Sequence, residues 1–429
     1  MKLLLTLLLF ASIIDAKSFL PSDIPLPKVY VQNLDPYPCD EDCMQELLDN
    51  ELIFSFLAHA TSPLENEEQE ESRKLYVATL NLGPTDLPMT PLPTASYKSI
   101  KIALLLPYKK IGQYAISTTN AAFAYLVAKN RPFELKSYKV ESESSEDIQN
   151  ALMQIEKDGF SYVIAPLTQD GVNTVIAINP PVNIYFPTIN KSEVYSESVF
   201  LFFGGIDYKA QTDLLLKEAV SPLVIFSDSS ATGKNLALYE EGRFKYEELN
   251  TFNPITGMMD KPKRVFNPKH KVISYAIPTE TTNLKHYLDK NDKIQHASFF
   301  VNTPIVKTGM ILSQLTLYDS NATNVLSTQI NYDPLLLSMT QYDDRKSMII
   351  ANSITEQNNL LVESNAMLQN DIVYDWINYT TTVGVDYFYN YEMREQRTYS
   401  ITLEDNQMKY PIELKRPKLY KFENYISKK

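Results

Sequence analysis

Catalysis needs a nucleophile with a base beside it, clustered metal ligands, or a glycine loop that cradles phosphate. The four histidines, His59, His270, His286 and His296, are scattered and form no metal-holding spacing. Ser227-Asp-Ser-Ser-Ala-Thr-Gly233 is rich in hydroxyls, but it lacks a Gly-x-Ser-x-Gly elbow and has no histidine placed to serve it. Gly204-Gly205 and Gly233 build neither a phosphate loop nor a dinucleotide fingerprint. Asp343-Asp344 reads as a solvated acidic turn. The residues point away from an enzyme and imply no cofactor or metal.

Two cysteines stand four apart, in Cys39-Asp-Glu-Asp-Cys43. A catalytic dithiol usually has two intervening residues, and neighbouring acids raise a thiol pKa. A structural disulfide is therefore favoured over free thiols or a redox pair. The start of the chain agrees with an oxidising compartment. Met1-Lys2 precedes an apolar stretch, Leu3 to Ile14, about half the roughly 20 residues a membrane span requires. Residues 1–16 read as a cleaved secretory leader, the alternative being a buried strand. No cysteine stands at the expected cleavage site, so lipid anchoring is not indicated. The expected location is the periplasm, as a soluble protein with no membrane span in the mature chain.

Length and charge narrow the partners. With 429 residues, 44% of them hydrophobic and 21% charged, the chain is globular and too long for one core. A formal charge of -12 argues against nucleic acid, which needs a concentrated basic surface. Lys261-Pro-Lys-Arg264 and Lys415-Arg416 do not supply one.

The elements that position any site are read from periodicity. Residues 17–82 form an amino-terminal extension with the cysteine pair, of which residues 17–62 are expected to be too short for a core of their own. Within it, Leu64 to Glu71 is a charge run and Leu75 to Leu82 a possible strand. Residues 83–97 are a proline-rich linker. From 98 onward, short apolar runs alternate with helical segments. Lys101-Ile-Ala-Leu-Leu-Leu-Pro107, Tyr162-Val-Ile-Ala-Pro166 and Val182-Asn-Ile-Tyr-Phe-Pro187 read as buried parallel strands, with a helix expected over 111–128. Val199-Phe-Leu-Phe-Phe-Gly-Gly-Ile-Asp207 adds a fifth strand, and the same grammar restarts at Ser221. A first lobe over 98–219, a second over 220–358, and a segment 359–429 completing both are the economical division. Residues 242–271 break the pattern and read as an insertion, and a helix is expected over 279–288.

This order of elements resembles the type I periplasmic binding fold: α/β, two-lobed, with parallel sheets flanked by helices, here with a small amino-terminal extension. The likeness rests on Lys101 to Pro107, Val163-Ile-Ala-Pro-Leu-Thr-Gln-Asp-Gly-Val-Asn-Thr-Val175, Pro222-Leu-Val-Ile-Phe-Ser227 and Asn378-Tyr-Thr-Thr-Thr-Val-Gly-Val-Asp386. Within that fold the chain is similar to the carboxyl-terminal domain of penicillin-binding-protein activators and to branched-chain amino-acid receptors. The resemblance implies lobes joined by hinging crossovers, with any small ligand held between them. The chain departs from it in the bulky, basic Tyr108-Lys-Lys-Ile-Gly-Gln113, in Gly204-Gly205 before the crossover helix, and in lacking the activators' lipidated cysteine and helical-repeat domain.

In parallel sheets the working surface lies beyond the carboxyl ends of the strands. The first lobe then offers Tyr108, Gln113, Thr168, Gln169 and Thr188 to a ligand, and the second Ser227, Asp228, Ser229, Thr279 and Thr303. Helix-start amides at Thr168 and Gln169 would suit an anion. The alternative is that these are polar rim residues of a cleft closed by protein contacts. Asn190, Asn321 and Asn378 match the glycosylation acceptor pattern. Of these, only Asn321 has an acid two places earlier, in Asp319-Ser-Asn-Ala-Thr323, and it is the candidate. Most of the 28 tyrosines and 19 phenylalanines are expected to pack between helix and sheet, but so many rings can also furnish a protein interface. The expected function is non-catalytic contact with an envelope protein, in cell-wall synthesis regulation or an envelope assembly. The alternative is a solute receptor for a small polar or anionic ligand.

Overall fold

The computed structural model describes residues 31, 39–80, 82, 99–249, 252–253, 258–259 and 263–427. The leader expected at 1–16 and the linker at 83–97 lie outside the described residues. The chain divides into two compact units, Met1–Tyr97 and Lys98–Lys429.

Among its described residues the first unit has three helices, α1 (Glu41–Asp49), α2 (Ile53–His59) and α3 (Glu67–Thr79). Asp40 caps α1 by accepting from the Cys43 amide at 3.0 Å. That turn brings Cys39 and Cys43 into a disulfide, with their Cα atoms 5.3 Å apart. Residues 17–62 make no core alone, since theirs is completed from beyond that segment, and one other expectation is corrected here. Phe56, Leu57, Ala58 and Ala60 gather with Val31 and Leu82 into a small core of the unit's own. The strand expected from Leu75 is instead the end of α3, because Asn66 caps the helix and acids fill its first turn.

In the second unit, β1 (Ile100–Leu106), α4 (Tyr108–Ile111), α5 (Tyr114–Ala128), β2 (Phe133–Lys139), α6 (Ser145–Lys157), β3 (Tyr162–Ile164), α7 (Gln169–Ile178), β4 (Asn183–Phe186) and β5 (Leu201–Phe203) begin the first lobe. The second lobe holds α8 (Tyr208–Leu216), β6 (Leu223–Ser227), α9 (Ala231–Lys245), β7 (Tyr246–Leu249), β8 (Phe252–Asn253), β9 (Met258–Met259), β10 (Lys263–Phe266) and β11 (Val272–Ala276). It continues through α10 (Lys285–Leu288), β12 (Ser298–Asn302), α11 (Ile305–Leu317), β13 (Asn324–Ser327), α12 (Leu335–Met339), α13 (Tyr342–Arg345) and β14 (Met348–Asn352). The chain then returns to the first lobe as α14 (Asn359–Met367), α15 (Trp376–Met393), β15 (Thr402–Glu404) and β16 (Gln407–Lys409). It ends in the second with β17 (Glu413–Pro417) and β18 (Phe422–Asn424).

The first sheet runs β15-β16-β5-β4-β3-β1-β2 and the second β11-β6-β12-β13-β14-β17-β18. Pairing is parallel except for β15 against β16 and for β17 and β18. Apolar residues of the central strands are buried on both faces, as parallel sheets require. The lobe boundary expected after 219 falls earlier. Helix α8 packs on α9 and β14, and Leu215 enters the second lobe's core, so the chain leaves the first lobe at Gly204–Asp207. The helix expected over 279–288 is only α10, since Pro278 and the threonines after it favour a turn. The insertion is two short antiparallel ladders, β7 with β10 and β8 with β9.

Three crossovers join the lobes, after β5, β14 and β16. At the first, a Cβ on Gly204 would sit 1.8 Å from Tyr185 Oη, and one on Gly205 2.1 Å from the Ile189 carbonyl carbon. Tyr185 on β4, Thr380 on α15 and Tyr410 on the third crossover form a buried hydroxyl triangle with edges of 2.7, 3.0 and 2.8 Å. Thr380 donates to the Gly204 carbonyl at 2.9 Å. At the second crossover, Gln211 donates to Ser353 Oγ at 2.8 Å and accepts from the Gln329 amide at 2.9 Å. Gln329 in turn donates to Asn352 at 3.0 Å and accepts from the Ser353 amide at 2.6 Å.

Gly204→Ala forces the hydroxyl triangle apart and is expected to destabilise the protein by about 1–3 kcal/mol, the usual cost of overpacking. At Gly242, inside α9, a Cβ would meet nothing within 4 Å. Gly242→Ala is expected to be neutral or to stabilise by about 0.5–1 kcal/mol through helix propensity. Paired denaturant titrations check the contrast.

Candidate functional site

The strand ends carry the polar groups expected there, and most are already bonded within the protein. Thr168 stands at the amino end of α7, where unpaired helix amides favour an anion. The anion is the chain's own Glu143. One carboxylate oxygen accepts from the Thr168 amide at 2.7 Å, and the other accepts the Thr168 hydroxyl. Gly171 makes room for it, since a Cβ there would lie 2.6 Å from the Glu143 carboxyl carbon. Thr188, after β4, donates its hydroxyl to the Leu167 carbonyl, which sets it beside Thr168. Gln169 donates to the Glu193 carbonyl at 2.8 Å. Tyr108 and Gln113 are exposed on either side of the α4 to α5 turn and make no hydrogen bond to this cluster.

In the second lobe Ser227 and Thr303 are buried. Thr303 shares a hydroxyl contact of 2.8 Å with Thr308, and its carbonyl accepts from Asn331. The Asp228 amide donates to the Asn302 carbonyl at 3.2 Å, which places Asp228 beside Thr303. Its carboxylate accepts from the amide and hydroxyl of Ser230, the cap of α9. Ser229 and Thr279 are exposed, and Thr279 lends its carbonyl to Lys307 at 2.7 Å. The structure thus brings together Thr168, Gln169 and Thr188 in one lobe and Ser227, Asp228, Ser229 and Thr303 in the other. Tyr108, Gln113 and Thr279 stand apart from these clusters.

Two carboxyls, Glu193 between β4 and β5 and Asp375 at the start of α15, are shifted by burial. Burial raises Glu193 above the usual carboxylate range, Asp207 adds like charge, and Lys209 partly opposes it. Burial also raises Asp375, with Asp371 and Asp333 adding like charge against backbone amides that lower it. Beneath the second cluster, Glu240 on α9 is fully buried, and Asn302 Nδ2 donates to both of its oxygens at 2.8 Å. Desolvation holds its carboxyl well above the usual range, against the opposing hydrogen bond from Asn302.

Among the described residues no group of three His, Cys, Asp or Glu side chains could hold a metal. No helix there is long and apolar enough to cross a membrane. Asn190 and Asn378 are buried, their amides donating to Gly205 and Asp371 carbonyls. Asn321 is exposed in the turn after α11, bonded to Gln295 at 3.1 Å.

Sequence reasoning missed Glu143, Glu240 and the amides of Gln211, Gln329 and Asn352. The only prior sign of Glu143 was its place in the acidic run before α6.

No protein-family model matches the chain, and no curated protein matches it. Solved structures do. The branched-chain amino-acid substrate-binding protein LivJ of Streptococcus pneumoniae, in complex with isoleucine, superposes with a TM-score of 0.53 at 11% identity. The match covers 76% of this chain and 98% of that one. The leucine-binding protein LivK of Thermotoga maritima gives 0.50 at 12% identity, covering 76% and 98%. The C-domain of LpoA from Haemophilus influenzae, described as a regulator of PBP1A, gives 0.47 at 12% identity, covering 76% and 100%. The fold is therefore the two-lobed type I periplasmic binding fold. At these identities the likeness extends to the fold alone.

Glu240 yields a pH test. Its folded carboxyl keeps a proton that the unfolded chain releases near the ordinary value of 4.5. Folded protein then binds more protons, so stability is lost as pH rises from that value toward the raised one. Glu240→Gln keeps the shape without the charge. It is expected to be more stable than the parent at neutral pH, with a flatter dependence of unfolding temperature on pH. Thermal melts of both proteins across pH check this, and parallel curves would contradict it.

Proposed function

We propose that this chain is a non-catalytic periplasmic protein that acts by contact with another envelope protein, a cell-wall synthase or an envelope assembly being suitable partners. The carrying observation is Glu143 at the start of α7. The groups best placed to hold a ligand's carboxylate in the first lobe are bonded to the protein's own carboxylate. Thr188 and Thr303 are likewise bonded internally.

Large exposed apolar side chains favour protein contact. Tyr195 and Val199 are 80% and 70% exposed on the segment between β4 and β5, and Ile116 is 69% exposed on α5. Aromatic and aliphatic residues outside the core are what an interface draws on. The solute-receptor reading keeps one support, the exposed hydroxyls of Ser229 and Thr279 in the second lobe.

Site-specific photocrosslinking in intact cells, from Ile116, Tyr195 and Val199 and from Ser229 as a cleft control, tests the proposal. A reproducible adduct with one envelope protein from the surface positions is expected. The reading fails if no position yields a stable protein neighbour and the purified protein carries a small molecule between its lobes.

A further inference from the structure

The first sheet ends at β2, and beside that edge lies a groove of about 910 Å³. Its floor is Leu106, Ser137 and Lys139, and its wall is formed by Tyr108, Ala115 and Ile116 at the α4 to α5 turn. The backbone of the edge is open. Val140 donates to the Leu106 carbonyl at 3.0 Å, so even-numbered residues of β2 face β1. In a parallel strand the alternate residues face the other way. Phe133, Leu135, Ser137 and Lys139 therefore turn their amides and carbonyls outward, and among the described residues no strand pairs with them. Phe133 and Leu135 pack on the core beneath α5, which puts the side chains of this odd-numbered set on the groove's face of the sheet.

Charge supplies the occupant's chemistry. Lysines on an edge strand often guard it against pairing. Those on the opposite face are already neutralised, Lys136 by Asp158 and Lys101 by Glu134, each at 2.6 Å. On the groove's side Lys109 is paired with Glu141 at 2.6 Å. Lys139, which lines the groove, and Lys110, on α4 outside its lining, are exposed, and among the described residues neither forms an ion pair. An open edge beside an apolar wall, with uncompensated positive charge in a chain of net charge -12, is complementary to an acidic strand with alternating apolar residues.

We propose that the β2 edge and its groove bind an extended, acidic segment of a partner protein by strand addition. Main-chain bonds to Leu135, Ser137 and Lys139 would supply affinity. Apolar side chains against Ile116 and Tyr108, and carboxylates at Lys110 and Lys139, would supply selectivity. The inference rests on the protein-contact reading above and names the surface and the class of partner.

The test uses the full chain and two labelled nine-residue peptides, one alternating glutamate with valine and one alternating lysine with valine, followed by fluorescence anisotropy. Saturable binding of the acidic peptide is expected, with the lysine peptide at least about tenfold weaker. Ser137→Pro removes an outward amide that β1 does not use, so it spares the existing ladder. It is expected to weaken the acidic peptide about tenfold, as is the pair Lys110→Glu with Lys139→Glu. Circular dichroism shows whether each variant folds, and should the proline variant fail to fold, the charge pair decides. Absence of binding, equal binding of the two peptides, or binding that survives the folded variants would overturn the proposal. Those outcomes leave the crosslinking result untouched, so a failed groove and a failed protein-contact reading are told apart.

Discussion

The architecture depends on one close backbone passage. Where the chain first leaves the lobe of β1 to β5, the Gly204 backbone lies against Tyr185 and Thr380 with no room for a side chain. The triangle of Tyr185, Thr380 and Tyr410 fixes the first and third crossovers to each other. The amides of Gln211, Gln329 and Asn352 fix the second. Buried polar groups are costly when unpaired, so a partly broken network is worse than none. The relation of the lobes is thus set by hydrogen bonds of fixed geometry as well as by the apolar cores, which lie within each lobe.

That frame delivers polar groups to the strand ends, and several of them, at Thr168, Thr188 and Thr303, are bonded within the protein. Glu143 acts as a tethered ligand. A charge-assisted hydrogen bond contributes about 1.5–3 kcal/mol, and a tethered group competes at an effective concentration on the order of millimolar or above. A free carboxylate would have to displace it and leave Glu143 without its partners. The same lobe leaves its β2 edge open, with Lys139 lining the groove beside it. Internally bonded groups at several strand ends and an open sheet edge are the features on which the proposed protein-contact function rests.

Much of this was legible in the sequence, because short apolar runs closed by proline specify buried parallel strands wherever they occur. The runs ending at Pro107, Pro166 and Pro187 became β1, β3 and β4, and the strands from Ser221 onward repeated the order. Contacts remote in sequence were not legible. Nothing near α8 shows that it packs on β14, well over a hundred residues later, so the lobe boundary was placed one helix late. Nothing beside Thr168 reveals that Glu143, on the preceding turn of the fold, fills its amide site. The small core of the first unit escaped notice because Phe56, Leu57 and Ala58 lie in a helix of seven residues, too short to show a periodic face.

The account turns on whether the space between the lobes holds a solute. Non-denaturing mass spectrometry of protein purified from its native compartment, without unfolding or exhaustive dialysis, measures this directly. The mass of the mature disulfide-bonded chain alone is the predicted result, with no change in unfolding temperature on adding free amino acids. A stoichiometric small-molecule adduct, whose removal lowers the unfolding temperature and whose return restores it, would contradict the account.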